Sequence, residues 1–160
     1  MNTLVAHHDE FTMETEYEMQ ESGLYYSILP VKLSYTTGDE DINEHDWGLT
    51  ITQYETMGFS HSFFMNSVAI MNSRGDRFVI DNLGDVFISD FGEDTEGSCI
   101  LNDEEISQLY QVFTDIDNLE YIRIRFNDDD ELIYNMTQPS AYAVTYFIDY
   151  IRNQVQPTEV

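Results

Sequence analysis

Between Thr12 and Glu21 the chain alternates with period two: Met13, Thr15, Tyr17 and Met19 fall on one side, Glu14, Glu16, Glu18 and Gln20 on the other. Successive side chains of a strand point to opposite faces, so the pattern predicts a half-buried strand with carboxylates on its wet face. At about 3.3 Å per residue, those carboxylates stand roughly 6.6 Å apart. Phosphates along one nucleic-acid strand are separated by a similar distance, about 3.4 Å of axial rise plus the winding of the backbone.

The same reading extends along the chain. Leu24 to Tyr35 is strand-like, with Pro30 favouring an edge or a bulge, and pairs with the acidic strand as a first hairpin. Trp47 to Tyr54 sets Trp47, Leu49 and Ile51 against Gly48, Thr50 and Thr52, another strand. Phe59 to Met71 carries two signals: Phe63, Phe64, Val68 and Met71 fit a helix, and Ser67 to Met71 fits a strand. Arg74-Gly75-Asp76 turns into Arg77–Asp81, and Asn82-Leu83-Gly84-Asp85 turns into Val86–Phe91.

Helical signals come later. Asn102 and Glu105 have the capping-box spacing, Ile106, Leu109, Tyr110, Phe113 and Ile116 recur at helical intervals, and Asp103, Glu104 and Glu105 suit the positive end of the helix dipole. Leu119 to Phe126 and Leu132 to Met136 read as a hairpin around Asn127–Asp130. Pro139 and Ser140 open a last helix, with Tyr142, Ala143, Tyr146, Phe147, Tyr150 and Ile151 on its broad apolar face. Residues 1–11 read as a mobile end or an irregular lead-in. Mostly strands, then helix, hairpin and helix, the order predicts a single α+β domain over residues 1–160. Its antiparallel sheet has about five to seven strands, with two or three helices packed against it.

Composition supports a real core: 160 residues, 42% hydrophobic and 14% aromatic, are enough to fold despite the charge. That charge decides the class of partner. With 31 Asp and Glu against 6 Lys and Arg, net −25, the chain is repelled by nucleic acid and by anionic membranes, and attracted to basic surfaces or cations. Lys32 is the sole lysine, beside Arg74, Arg77, Arg123, Arg125 and Arg152. Acids crowd residues 1–46 and 81–131, while 47–80 and 132–160 are nearly neutral, a division into exposed acidic surface and supporting core. Adaptation to high salt is a rival account of the acidity, but the wealth of large apolar residues fits it poorly.

One cysteine, Cys99, allows no intramolecular disulfide, and the N-terminal residues carry neither a basic start nor a long apolar run. Cytoplasmic residence without a membrane span is the expectation.

Four acid clusters stand out, at Glu14–Glu21, Asp39–Asp46, Glu93–Glu105 and Asp128–Glu131. In charge, size and acid spacing the chain resembles the DNA-mimic inhibitors of phages and mobile elements, of the anti-restriction and anti-CRISPR type. It also resembles acidic immunity proteins that neutralise nuclease toxins. These groups share no motif, so no residue roles are carried over.

The resemblance implies an inhibitor, not an enzyme, whose carboxylates take the place of phosphates on the basic DNA- or RNA-binding surface of a host-defence nuclease. Glu14, Glu16, Glu18 and Glu21 are the first candidate contacts, with Asp39, Glu40, Asp41, Asp128, Asp129, Asp130 and Glu131 beside them. No cofactor and no metal is expected, and a homodimer through the near-neutral C-terminal helix would extend the acidic surface. The alternatives are an immunity protein that binds a nuclease away from its nucleic-acid groove, and a small cation-binding module.

Other signals are weaker. Asp39 to Glu44 begins like an EF-hand loop but has Glu44 where the turn needs Gly and Thr50 where a bidentate Glu is needed, and Asp115-Ile116-Asp117 fails likewise. His7, His8, His45 and His61 lack zinc spacing, His8 beside Asp9 is a base–carboxylate pair on paper only, and Ser60 has no nucleophile elbow.

Overall fold

A computed structural model describes residues 4–19, 31–38, 45–54, 67–81, 83, 86–88, 94–116, 122–126, 130–134 and 138–156. Ten strands are present among them: β1 Leu4–Asp9, β2 Glu14–Met19, β3 Val31–Gly38, β4 His45–Tyr54, β5 Val68–Asn72, β6 Arg77–Ile80, β7 Val86–Ile88, β8 Asp94–Leu101, β9 Ile122–Phe126 and β10 Asp130–Tyr134. Helix α1 spans Asp103–Phe113, and α2 spans Gln138–Tyr150 and runs on into a π-helical stretch, Ile151–Val155. The architecture is α+β and antiparallel throughout. The strands form a six-stranded sheet, β1-β2-β3-β4-β8-β7, and a four-stranded one, β10-β9-β5-β6. Helix α2 packs on β2 and β3, α1 packs on β5 and β6, and the helices touch each other.

Apolar residues recur at every second position where a strand faces the helices. Val31, Leu33 and Tyr35 of β3 and Trp47, Leu49 and Ile51 of β4 are buried on the inner face of the large sheet, as the period-two pattern requires. Each such side chain contributes about 1.5–3 kcal/mol by leaving water. Trp47 sits at the junction: its ring meets Tyr35 edge-on at 4.9 Å and Phe147 of α2 at 6.3 Å, and its Nε1 donates to Asp103 Oδ1 of α1 at 3.2 Å. One indole therefore ties both helices to the sheet. Helix α1 starts at a capping box: Glu105 N donates to Asn102 Oδ1 at 2.8 Å and Asn102 N to Glu105 Oε1 at 3.0 Å. Its buried face is Ile106, Leu109, Val112 and Phe113, while Tyr110 is only half-buried.

The structure departs from the sequence reading in some segments and decides between two readings in another. Leu4–Asp9, expected to be an irregular lead-in, is an edge strand paired with β2. Asp94–Leu101, expected to be acidic surface, is a full strand beside β4, with Gly97 and Leu101 buried. The two signals of Phe59–Met71 resolve for its end, where Val68–Asn72 is β5; residues 59–66 lie outside the described part. Strand β3 is interior rather than an edge, and Pro30 lies outside the described residues.

The small sheet is held to α1 by a polar clasp. Asn72 is buried, and its Nδ2 donates to Val112 O at 3.0 Å and to Asp76 Oδ2 at 3.1 Å. Its Oδ1 accepts from Arg74 N and Asp76 N, each at 3.0 Å. Gly75 lies in the left-handed region at φ 92°, which its missing Cβ allows, and Arg74 reaches over to donate to Thr114 O. Asn72 and Arg74 thus donate to carbonyls at the end of α1 that the helix itself leaves without donors. Asn72→Ala is expected to lower the unfolding free energy by about 2–4 kcal/mol, read from the urea midpoint, because it strands buried donors and acceptors. A loss under about 0.5 kcal/mol would show that water replaces the clasp.

Candidate partner-binding surface

Pairing register decides which side chains share the outer face of the large sheet, because directly opposed residues of antiparallel strands point the same way. Glu14 opposes Asp9, Glu16 opposes His7 and Thr36, and Glu18 opposes Ser34. Beyond β3, Thr36 opposes Asp46 and Ser34 opposes Gly48, so Asp46 belongs to the same face. Glu14 and Glu16 are exposed, and Glu18 is half-buried and accepts from His7 Nε2 at 3.0 Å. The three glutamates form a row about 13 Å long. Thr15, Tyr17 and Met19 alternate with them on the inner side, and the Met19 sulfur accepts Leu33 N–H at 3.3 Å.

The hairpin between β1 and β2 ends in an apolar tip. Phe11 is 99% exposed and Met13 46%. The turn is closed by Asp9: its Oδ1 accepts Phe11 N at 2.8 Å and Thr12 N at 3.4 Å, and its carbonyl accepts Met13 N at 2.9 Å. Met13 lies in the left-handed region at φ 58°. One Asp9 oxygen is therefore used within the turn, while the ring of Phe11 is presented to solvent beside the carboxylate row. Nothing in the reading of residues 1–11 as a lead-in pointed to Phe11; Asp9 followed two residues later by an amide it can cap was the available signal.

The other candidates are not all brought together. Glu21, Asp39, Glu40, Asp41, Asp128 and Asp129 lie outside the described residues. Asp130 and Glu131 are consecutive in β10, where successive positions belong to opposite faces, and β10 edges the small sheet rather than joining the β2 row. Asp130, read as the last residue of the Asn127–Asp130 turn, instead opens β10. Across the outer face of the large sheet, Glu96 opposes Thr52, which is buried, and Lys32, Thr50, Ser98 and the 65% exposed Ile100 separate Glu96 from the glutamates of β2. Exposed acids also stand elsewhere, at Asp81, Asp103, Glu104, Asp115 and Asp149. Among the described residues, β2 places three acids at successive same-face positions, and β8 places two, Asp94 and Glu96.

Chemistry of other kinds finds little footing. His8 bonds Thr15 through Nδ1 at 3.0 Å while Asp9 caps the turn, so these neighbours are not a base–carboxylate pair. Among the described residues no three or more His, Cys, Asp or Glu side chains are grouped so as to hold a metal ion, and no helix is long and apolar enough to cross a membrane. Burial, and then the charge of Glu105, pushes the Cys99 thiol up to about 11. Burial likewise raises the phenol of Tyr35, aided by Asp103 and opposed by a hydrogen bond with Gln156. Tyr110 is raised by burial and by the hydrogen bond it donates to Asp149 at 3.1 Å.

No protein-family model matches the chain, and no curated protein or solved structure is similar to it.

A thiol that ionises near 11 holds only about 0.1% thiolate at pH 8, against roughly a quarter for an ordinary cysteine. Cys99 is therefore expected to react with iodoacetamide at least tenfold more slowly in the native chain than in urea, as followed by mass spectrometry. Equal rates would contradict the burial assigned to it.

Proposed function

We propose that this chain is an acidic decoy: it occupies the basic DNA- or RNA-binding surface of a host-defence nuclease, a CRISPR effector or a restriction enzyme, and so excludes nucleic acid by competition. The observation that carries the reading is the register of β1, β2 and β3, which puts Glu14, Glu16 and Glu18 in one row on one face. Lys and Arg side chains that grip phosphates at similar intervals can pair with such a row. A net charge of −25 speeds approach to a basic cleft over long range.

Charge alone gives little grip. Each exposed pair contributes about 0–1 kcal/mol, so a row of three needs an apolar partner. Phe11 supplies one, since aromatic side chains that become fully desolvated dominate many interfaces. The decoy thus combines an electrostatic row with an aromatic tip on one hairpin. Its partner is a protein, not nucleic acid, and no catalysis or cofactor enters the mechanism.

Capture followed by competition tests this. Nuclease retained by the immobilised chain at low salt should be released by excess duplex DNA or RNA, without a ternary complex. Reversing Glu14, Glu16 and Glu18 together to Lys should weaken retention by about a hundredfold, removing three attractions and adding three repulsions. Phe11→Ala, at a residue that touches no core, should weaken it about tenfold while leaving the melting temperature unchanged. A stable ternary complex would favour binding away from the groove, and retention unchanged by the triple reversal would exclude the β2 row as the contact.

A further inference from the structure

The outer face of the small sheet is chemically opposite to that of the large one. Register places Arg77, Met71 and Arg123 in one transverse row across β6, β5 and β9, and Val79, Ala69 and Arg125 in the next. Three of the six basic residues in the chain therefore share one face of three adjacent strands. Together these six side chains line a hollow of about 210 Å³, with Ala69 and Met71 on its middle strand. Adjacent strands lie about 4.8 Å apart, so Arg77 and Arg123 flank Met71 with Cα atoms roughly 9.6 Å apart. Arg123 and Arg125 are two residues apart on one strand. The guanidinium groups thus approach the hollow from two sides over an apolar floor.

Arg77 and Arg125 are exposed, and among the described residues neither has an ion-pair partner. In a chain with 31 acids that is an unusual allocation of scarce positive charge. The other arginines outside this face are used internally. Arg74 serves Thr114 O and Asp76, and Arg152 donates to Ser107 Oγ at 2.9 Å and lies 6.0 Å from the centre of the Tyr110 ring. From β10, Glu131 is the register partner of Arg125, the one acid position on the neighbouring strand that belongs to this face.

We propose that this arginine-lined hollow is a binding site for a small phosphate monoester, with the phosphate held by Arg77, Arg123 and Arg125 and the apolar body of the molecule resting on Ala69, Met71 and Val79. The chemistry is specific on three counts. Guanidinium forks bond phosphate oxygens in pairs, and donors arriving from two sides suit a tetrahedral dianion better than a flat carboxylate. The hollow is smaller than the roughly 300–1,000 Å³ of cofactor-sized pockets, so it takes a small molecule or the end of one. A polyanion is disfavoured, because each further phosphate meets the net charge of −25, whereas one phosphate is screened from most of it beyond about 8 Å at physiological salt. The site lies on the other sheet from the β2 glutamates and stands or falls independently of the decoy reading.

Phenyl phosphate is the probe, titrated into the full chain with amide chemical shifts as the readout and phenol, inorganic phosphate and a single-stranded oligonucleotide as comparisons. Saturable shifts centred on β5, β6 and β9 are expected, with phenyl phosphate binding at least fivefold tighter than inorganic phosphate and phenol not binding. Arg77→Gln and Arg125→Gln should each weaken phenyl phosphate at least fivefold, and the double variant at least twentyfold, with far-ultraviolet circular dichroism unchanged. The proposal is overturned if phenyl phosphate does not saturate the wild-type chain, if the double variant binds it equally well, or if the oligonucleotide binds more tightly than phenyl phosphate.

Discussion

The pairing register of β2 between β1 and β3 is the constraint on which the rest depends. Tyr17 and Met19 face inward, where the sulfur of Met19 takes the amide of Leu33, and Leu33 lies in the same buried layer as Tyr35 and Trp47. A strand with side-chain period two cannot slip by one residue without exchanging its faces. Such a slip would drive Glu14, Glu16 and Glu18 toward Trp47 and Phe147 and expose Tyr17 and Met19. Burying even one unpaired carboxylate costs more than any exposed ion pair returns. The apolar layer therefore sets the position of the charged one, and the acidic row is a consequence of core packing.

That arrangement also shows how so acidic a chain folds. Self-repulsion among charges opposes compaction, but the glutamates of β2 share the face that points away from the core, where water screens them and His7 pairs with Glu18. Trp47 binds the sheet to α1 and α2, and the Asn72 clasp binds α1 to the second sheet. The two sheets then turn different chemistry outward: carboxylates on β1, β2 and β4, guanidiniums on β6 and β9. The few cations are not scattered to neutralise the many anions. Their grouping leaves the acidic hairpin with His7 and, at its border, Lys32 as its basic neighbours on that face.

Local signals were the legible ones. Asn102 and Glu105 announce the start of α1 because a capping box needs only four consecutive residues, and the alternation of β2 and of Trp47–Ile51 names the buried face correctly. Strand β8 escaped because its inner positions include Gly97 and the half-buried Cys99, too little apolar mass to stand out, and its pairing to β4 supplies what its composition lacks. Strand β1 escaped for a related reason: an edge strand ending His-His-Asp has no clear alternation, and its cross-strand contacts, His7 with Glu18 and His8 with Thr15, exist only once β2 is in place. Division of the strands into two sheets was not legible either, since it depends on which strands pair. The arginine face was hidden in the same way, because Arg77 and Arg123 become neighbours only through β5.

The central claim is that the fold raises the negative potential along one hairpin above that at the exposed acids elsewhere on the surface. The direct test is nuclear relaxation of backbone amides by a cationic nitroxide, compared with a neutral one of the same size. The account predicts that the cationic probe selectively enhances relaxation at residues 14–18 and at the facing residues 7–9, severalfold above the values at Glu96, Asp115 and Asp149. Enhancements that follow solvent exposure alone, equal at all of these positions, would contradict it.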